Sequence, residues 1–347
     1  MSRSIKDIKD GRILIFGGTG SLGKTLIKRY CHKNLVCVYS RDESKHWTIK
    51  NEMNHKNLSF LIGDIRDKDR CLEALLEFKP THIILASALK HVDVCEISPY
   101  ESVKTNTIGI KNVVEAVTNN KKYFKNLKAV LMVSTDKACS PINVYGMCKA
   151  VAERLVTSQA DKENKKIKFL AVRYGNVLES RGSIIPLFKY QAENKEFITV
   201  THADMTRYVM TLDESVDLIN SCLMHGESGD TWIPKLPSMK IIDLAEIFSE
   251  KYEKSIKIVG MRPGEKLHES LVNETESFRA RESHGYISIM PAYCPPINNS
   301  FFTLSSDDSN SLMSKAELEN HLTRLDILEK DLSEFVGKTI EEVKKIR

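Results

Sequence analysis

From Arg12 to about Arg173, short apolar runs alternate with segments whose apolar positions return every three or four residues. Unbroken runs rich in Val, Ile and Leu suit strands covered on both faces, whereas the three-to-four spacing marks a helix with one buried stripe. Six strands are expected: Ile13–Phe16, Leu35–Ser40, Leu58–Ile62, His82–Ala86, Ala129–Ser134 and Phe169–Val172, with helices such as Ser102–Val117 and Tyr145–Ser158 between them. That alternation predicts βαβ units and an α/β fold built on a doubly wound parallel sheet. After Tyr174 the regularity fades. A helix-like LDESVDLINSCLMHG and segments marked by Pro234, Pro237, Pro263 and Gly264 predict a smaller, loop-rich C-terminal lobe. The charged stretch Ser314–Arg347 is helix-prone, and DLSEFVGKTIEEVKKIR is expected as a surface or partner-facing helix.

Composition narrows the classes. A chain of 347 residues with 41% hydrophobic and 28% charged positions has material for a large core, which excludes disorder and fibre. The net charge of +5 is a small excess of 51 basic over 46 acidic residues, with no basic block. No nucleic-acid partner is expected, although the excess suits anionic ligands. The cysteines at 31, 37, 71, 95, 139, 148, 222 and 294 form no C-x-x-C pair and no zinc spacing, so no metal is expected and the thiols read as unpaired and buried. MSRSIKDIKDGR lacks the apolar centre of a signal peptide, and no apolar run reaches ~18 residues. A cytoplasmic chain without a membrane partner is expected.

The first strand runs directly into Gly17-Gly18-Thr19-Gly20-Ser21-Leu22-Gly23, and a helical pattern follows at once. Gly17 permits the tight turn, Gly20 close approach of a pyrophosphate, and Gly23 helix–strand packing, while the helix N-terminus offers free N–H groups. In this strand–loop–helix setting the run predicts a dinucleotide site of Rossmann type. The domain expectation is therefore 11–175 for the nucleotide, with a returning helix near 211–225, and 176–347 for a substrate lobe and helical tail. The second strand ends at Ser40 and Arg41, where an acidic ribose reader is usual. A guanidinium there suits a 2′-phosphate, so NADP is expected, with NAD as the alternative if Asp42 is the reader. Asp64, closing the third strand, either meets the adenine amino group or caps the next helix.

The fifth strand delivers Ser134-Thr135-Asp136-Lys137, and Tyr145 and Lys149 follow, four apart on one helical face. A free tyrosine, with a pKa of about 10, is a poor base at neutral pH, and a neighbouring ammonium brings proton abstraction within range. Tyr-x-x-x-Lys beyond the fifth strand of such a sheet predicts redox catalysis on a small hydroxylated substrate.

GGTGSLG, the STDK run and YGMCK together resemble the extended short-chain dehydrogenase/reductases. More narrowly, SALKHVDVCEISPYESVKTNTIGIKNV, STDKACSPINVYG, RYGNVLESRGSIIPLF, MTRYVMTLDE and RPGEKLHE resemble the UDP-N-acetylglucosamine 4,6-dehydratases that invert carbon 5, in order over about residues 12–275. The resemblance implies that Tyr145, assisted by Lys149, takes the proton of the sugar 4-hydroxyl, which Thr135 holds, while hydride passes to NADP. Lys137 would then remove the proton on carbon 5, and Asp136 would protonate the departing 6-hydroxyl. The cofactor set comprises Gly17, Thr19, Gly20, Ser21, Leu22, Gly23, Ser40, Arg41, Lys45, Asp64, Ile65, Ala86, Ala88, Lys90, Tyr145 and Lys149. The resemblance places Lys90 and His91 over the sugar, and Asn176, Ser183, Arg207, Arg262 and Glu265 around the UDP. Relatives often carry a hydroxyl residue beside the lysine, where this chain has Met147-Cys148. The family also implies a homo-oligomer, dimer or hexamer, for which the apolar positions of Ser102–Val117 would serve. Two other readings compete: a UDP-sugar 4-epimerase, which needs no elimination chemistry, and a non-catalytic NADP-binding protein, against which the intact Asp136, Lys137, Tyr145 and Lys149 speak.

Overall fold

The computed structural model describes residues 6–161, 166–178, 180 and 182–329. They form two compact units, one with its described residues in segments 6–174, 215–235 and 272–303 and one in 175–214, 236–271 and 304–329. The tail run DLSEFVGKTIEEVKKIR lies outside the described residues.

In the first unit β1 (Arg12–Phe16), β2 (Leu35–Ser40), β3 (Leu58–Ile62), β4 (His82–Leu85), β5 (Ala129–Val133) and β6 (Lys168–Val172) are all parallel to their neighbours. Their spatial order is 3-2-1-4-5-6, the doubly wound arrangement in which the chain reverses direction across the sheet beside β1. Beyond β6 the sheet continues with Thr231–Ile233, parallel to it, and then with the antiparallel Tyr286–Ile289 and Ala280–Ser283. The unbroken apolar runs have their cause here, since every residue of β4 and β5 is buried. Leu14, Phe16, Ile83, Leu85, Val130 and Met132 share a core with Leu75 of α3 (Lys68–Phe78) and with Ile110, Val113 and Val117. Most of the apolar positions of Ser102–Val117 thus pack inside the chain, while Ile108 is exposed.

That helix is also not continuous. After α1 (Ser21–Tyr30), α2 (Glu43–Met53), α3 and α4 (Val92–Ile97) come α5 (Pro99–Val103), a π-helical turn over Lys104–Ile108, and α6 (Gly109–Thr118). The wider turn has a local reason. Asn106 is fully buried and grips Leu89 at both ends, accepting from its N–H at 2.8 Å and donating to its carbonyl at 2.9 Å. Such bulges recur where a helix must serve a site, and this one ties down the loop after β4. The next helix, α7 (Val144–Thr157), is capped by Asn143, whose side chain accepts from the Gly146 N–H.

The second unit is more regular than its Pro- and Gly-marked sequence suggests. Thr206–Met210 pairs antiparallel with Ser238–Lys240 and parallel with Asn176–Val177, and Phe197–Val200 pairs parallel with Ser255–Ile258. Helices Ile184–Asn194, Ile241–Tyr252 and Lys315–Arg324 pack Ile185, Phe188, Leu244, Phe248, Leu318 and Leu322 into one core. Among the described residues no helix is long and apolar enough to cross a membrane.

Candidate active site

The registers Phe16–Tyr39, Tyr39–Leu61, Phe16–Leu85 and Leu85–Met132 align the C-terminal ends of β1 to β5. The residues that follow those ends, 17–23, 41, 64–65, 86–91 and 134–137, therefore share one edge of the sheet, where doubly wound folds bind ligands. Gly17 has φ +81, and a Cβ there would stand 2.6 Å from the Ser87 backbone. A Cβ on Gly23 would lie 2.2 Å from the Gly18 carbonyl oxygen, so this glycine is demanded by helix–turn packing. Gly20 differs, because a Cβ there meets nothing closer than the Gly17 carbonyl oxygen at 3.9 Å. Gly20 is also the N-cap of α1, with no side-chain cap and no acidic residue in the first turn. An uncapped helix N-terminus behind an open glycine fits a pyrophosphate.

The residues expected around the ribose lie at or just after the ends of β2 and β3. Ser40 Oγ lies 2.7 Å from His46 Nε2. Asp42 caps α2 and pairs with Lys45 at 2.7 Å. Arg41 is more than half exposed, with Asp64 3.7 Å away. Asp64 accepts from the Arg66 backbone and side chain, and it is Asp67 that caps α3, so the capping alternative for Asp64 falls away. Ile65 is buried, Ala86 donates its N–H to the Phe16 carbonyl, Ala88 and Lys90 are exposed, and His91 is the N-cap of α4. Thr19 and Leu22 sit within the glycine turn and the first turn of α1.

At the end of β5 the residues expected to do acid–base work are packed onto one another. Asp136 is about 1% exposed, and its Oδ1 accepts from the Thr135 hydroxyl at 2.8 Å, the Lys137 N–H at 2.8 Å and Lys137 Nζ at 3.1 Å. Its Oδ2 is buried with no hydrogen-bond partner among the described residues. A buried polar atom without a partner calls for an explanation, and a substrate hydroxyl is one. Tyr145 is buried, which pushes its phenol up to about 12; Lys137 and Thr135 draw it back and Asp136 opposes them. Lys149 is also buried, which brings its ammonium down to about 8 even though Glu153 favours the charge. Lys149 donates to the Val133 carbonyl at 2.6 Å. The Lys137 charge, and not the helical spacing to Lys149 alone, thus bears on the phenol.

Sequence reasoning missed three supports. A Cβ on Gly146 would stand 2.1 Å from the Lys137 carbonyl oxygen, so this glycine lets α7 close on the Asp136–Lys137 turn. Asn106 holds the loop that leads to Lys90 and His91. Arg173 is buried between Glu153, at 2.7 and 3.2 Å, and Glu276, at 2.8 Å, joining the end of β6 to α7 one turn beyond Lys149. Only the Gly146 in YGMCK stands next to a motif, and the others are contacts between residues far apart in the chain.

The residues expected around UDP lie in the second unit. Asn176 pairs with Val209, and its Oδ1 is buried without a partner among the described residues. Ser183 starts the helix Ile184–Asn194 and donates to the Leu178 carbonyl at 2.9 Å. Arg207 is buried, and its guanidinium donates to the carbonyls of Thr206, Leu267 and Lys266. It thereby positions the loop carrying Arg262 and Glu265. Glu265 accepts from the Arg262 N–H at 3.0 Å, while the exposed Arg262 guanidinium is 3.8 Å away.

The strand order, the glycine turn after β1 and the Tyr145–Lys149 helix beyond β5 define a Rossmann-type short-chain dehydrogenase/reductase. The family described as "Polysaccharide biosynthesis protein" matches residues 13–291. A UDP-N-acetylglucosamine 4,6-dehydratase (inverting) of Campylobacter jejuni is 39% identical, over 81% of this chain and 83% of the relative. A UDP-glucose 4-epimerase of Rickettsia typhi is 37% identical over the same shares, 81% and 83%. Among solved structures, Pen from Bacillus thuringiensis matches with a TM-score of 0.85 and 35% identity, covering 92% of this chain and 98% of that one. The chain belongs to the polysaccharide biosynthesis protein family, as an extended short-chain dehydrogenase/reductase of sugar biosynthesis.

Proposed function

We propose that the chain is an NADP-dependent UDP-N-acetylglucosamine 4,6-dehydratase that inverts carbon 5. The observation that carries this reading is the Asp136–Lys137 pair beside Tyr145, in which a buried Asp136 accepts from a half-buried Lys137, because a 4-epimerase has no use for an elimination acid and base. The likeness to the Campylobacter jejuni enzyme supports it. The nicotinamide, when bound, supplies a hydride acceptor early in the cycle, a hydride donor later, and positive charge near the phenol. Tyr145 takes the proton of the 4-hydroxyl, with Thr135 orienting that group and Lys149 holding charge behind it. The ketone formed acidifies carbon 5, whose proton Lys137 removes. Asp136 protonates the 6-hydroxyl as it leaves, and the 3.1 Å bond between Lys137 and Asp136 offers a path for proton exchange between base and acid. Carbon 6 then receives the hydride back and carbon 5 is reprotonated from the opposite face, which gives the 4-keto-6-deoxy sugar with carbon 5 inverted.

Arg262, exposed and loosely paired, supports pyrophosphate binding, as the orphaned Asn176 Oδ1 supports a polar ligand contact. Arg41 supports NADP over NAD, since charge-assisted bonds to a 2′-phosphate are the strong kind. By calorimetry NADP is expected to bind at least about tenfold more tightly than NAD, and Arg41→Ala to erase the difference. Equal affinities in the unaltered protein would remove the NADP assignment.

A second reading, UDP-sugar 4-epimerase, is favoured by the likeness to the Rickettsia typhi protein. Incubation with UDP-N-acetylglucosamine and, separately, UDP-glucose, followed by NMR of the products, distinguishes the two. A 4-keto-6-deoxy sugar from the acetamido substrate supports the dehydratase. A 4-epimer that keeps its 6-hydroxyl contradicts it.

A further inference from the structure

At the edge of the first unit opposite the glycine turn, Cys31, His32 and His55 bring one sulfur and two imidazole nitrogens within 4.8 Å of one another. Topology assembles them. Cys31 closes the last turn of α1, His32 follows it on the way into β2, and His55 lies between α2 and β3. Because β2 and β3 are adjacent parallel strands, the turns that enter them meet. Asn57 joins the two turns, donating its side-chain amide to the Cys31 carbonyl at 3.0 Å and its backbone N–H to His55 Nδ1 at 3.2 Å. The two imidazoles stand edge to face with centroids 4.9 Å apart. Among the described residues neither the Cys31 thiol nor the His32 ring has a hydrogen bond to another residue's side chain.

We propose that Cys31, His32 and His55 form a binding site for a divalent metal of zinc's borderline softness, with a fourth position left for water. One thiolate and two imidazoles are a donor set that suits zinc and disfavours calcium or magnesium. Around tetrahedral zinc such atoms stand about 3.3–3.5 Å apart, at Zn–S and Zn–N lengths near 2.3 and 2.0 Å. The cluster therefore closes by movements on the order of an ångström, and the exposed His32 is free to make them. Metal on either nitrogen of His55 displaces the long contact from Asn57. An affinity on the order of micromolar is therefore expected, below that of a four-ligand structural site. The site lies at the N-terminal ends of β2 and β3, whereas Tyr145, Asp136 and Lys137 follow the C-terminal end of β5. Its role is to pin α1 to the turn before β3, and it stands independently of the proposed reaction.

The test is cobalt titration of the full-length protein after chelator treatment and desalting. The expected result is a thiolate-to-cobalt charge-transfer band with tetrahedral d–d bands, saturating at one ion per chain and bleached by zinc. Cys31→Ser should lose the charge-transfer band, while Cys294→Ser, a thiol elsewhere, should keep it. His32→Ala removes an exposed side chain and should weaken cobalt binding by at least about tenfold, whether or not the Cys31 variant folds. Zinc should also raise the melting temperature of the unaltered protein and not that of His32→Ala. Titration of His32→Ala like the unaltered protein, survival of the band in Cys31→Ser, or no saturable binding by about 100 µM cobalt would each overturn the proposal.

Discussion

Gly20 and Gly23 sit three residues apart in one motif, yet the space around them differs. The Gly23 Cβ position is filled by the Gly18 backbone, whereas that of Gly20 is open on the protein side. Gly23→Ala is therefore expected to cost several kcal/mol or to prevent folding, because backbone and not a flexible side chain must give way. Gly20→Ala should change stability by less than about 1 kcal/mol, in line with small residues at an N-cap, while weakening NADP binding by at least about tenfold, since the added methyl occupies the approach of the pyrophosphate. Urea melts and calorimetry read the two effects separately, and unchanged NADP affinity in Gly20→Ala would place the cofactor elsewhere. At the reacting end, Asp136→Asn keeps the shape and removes the acid, and Lys137→Ala removes the base. Both should retain NADP binding and lower dehydration by about 10²–10⁴-fold, the usual worth of a general acid or base. Normal turnover in either variant would remove that residue from the mechanism.

At the scale of elements, Arg173 joins the end of β6 to α7 and to Glu276. Replacing it by Met leaves two buried carboxylates without their cation, and a loss of about 3–5 kcal/mol is expected in urea unfolding. The pH dependence follows from Glu276. Burial pushes its carboxyl up, but the Arg173 charge and hydrogen bonds override this and hold it below the usual glutamate range. A folded-state value below the unfolded one gives stability that is complete above the ordinary glutamate value of about 4.3 and is lost as pH falls through the folded value. The unaltered protein should show this acid limb in its urea midpoint, and Arg173→Met should flatten it. A parallel acid limb in both would assign it to other carboxylates.

Such a triad explains why some of the site is not legible in the chain. Fully covered strands and the glycine turn announce themselves locally, by runs and spacing, so the apolar runs around Ile13, Val36, Leu58, Ile83, Val130 and Phe169 are enough to place β1 to β6. Asn106 in the π-helical turn reads in the chain as one more polar position on a helix face. Its role depends on Leu89, 17 positions away, and only the folded loop brings the two together. Arg207 shows the reverse: its sequence setting suggests an anion, but the fold directs its donors to carbonyls at 206, 266 and 267.

For the molecule as a whole, the first unit carries the glycine turn and the Asp136–Lys137 pair, and the second unit carries Arg262 and Asn176. In the proposed reaction a proton leaves carbon 5 and another returns, while water is eliminated from carbons 5 and 6. The most direct measurement is NMR of the product formed from UDP-N-acetylglucosamine and NADP in deuterium oxide. The expected product is a 4-keto-6-deoxy sugar of inverted configuration carrying solvent deuterium at carbon 5. A product that retains its original carbon-5 proton and its 6-hydroxyl would contradict the dehydratase assignment.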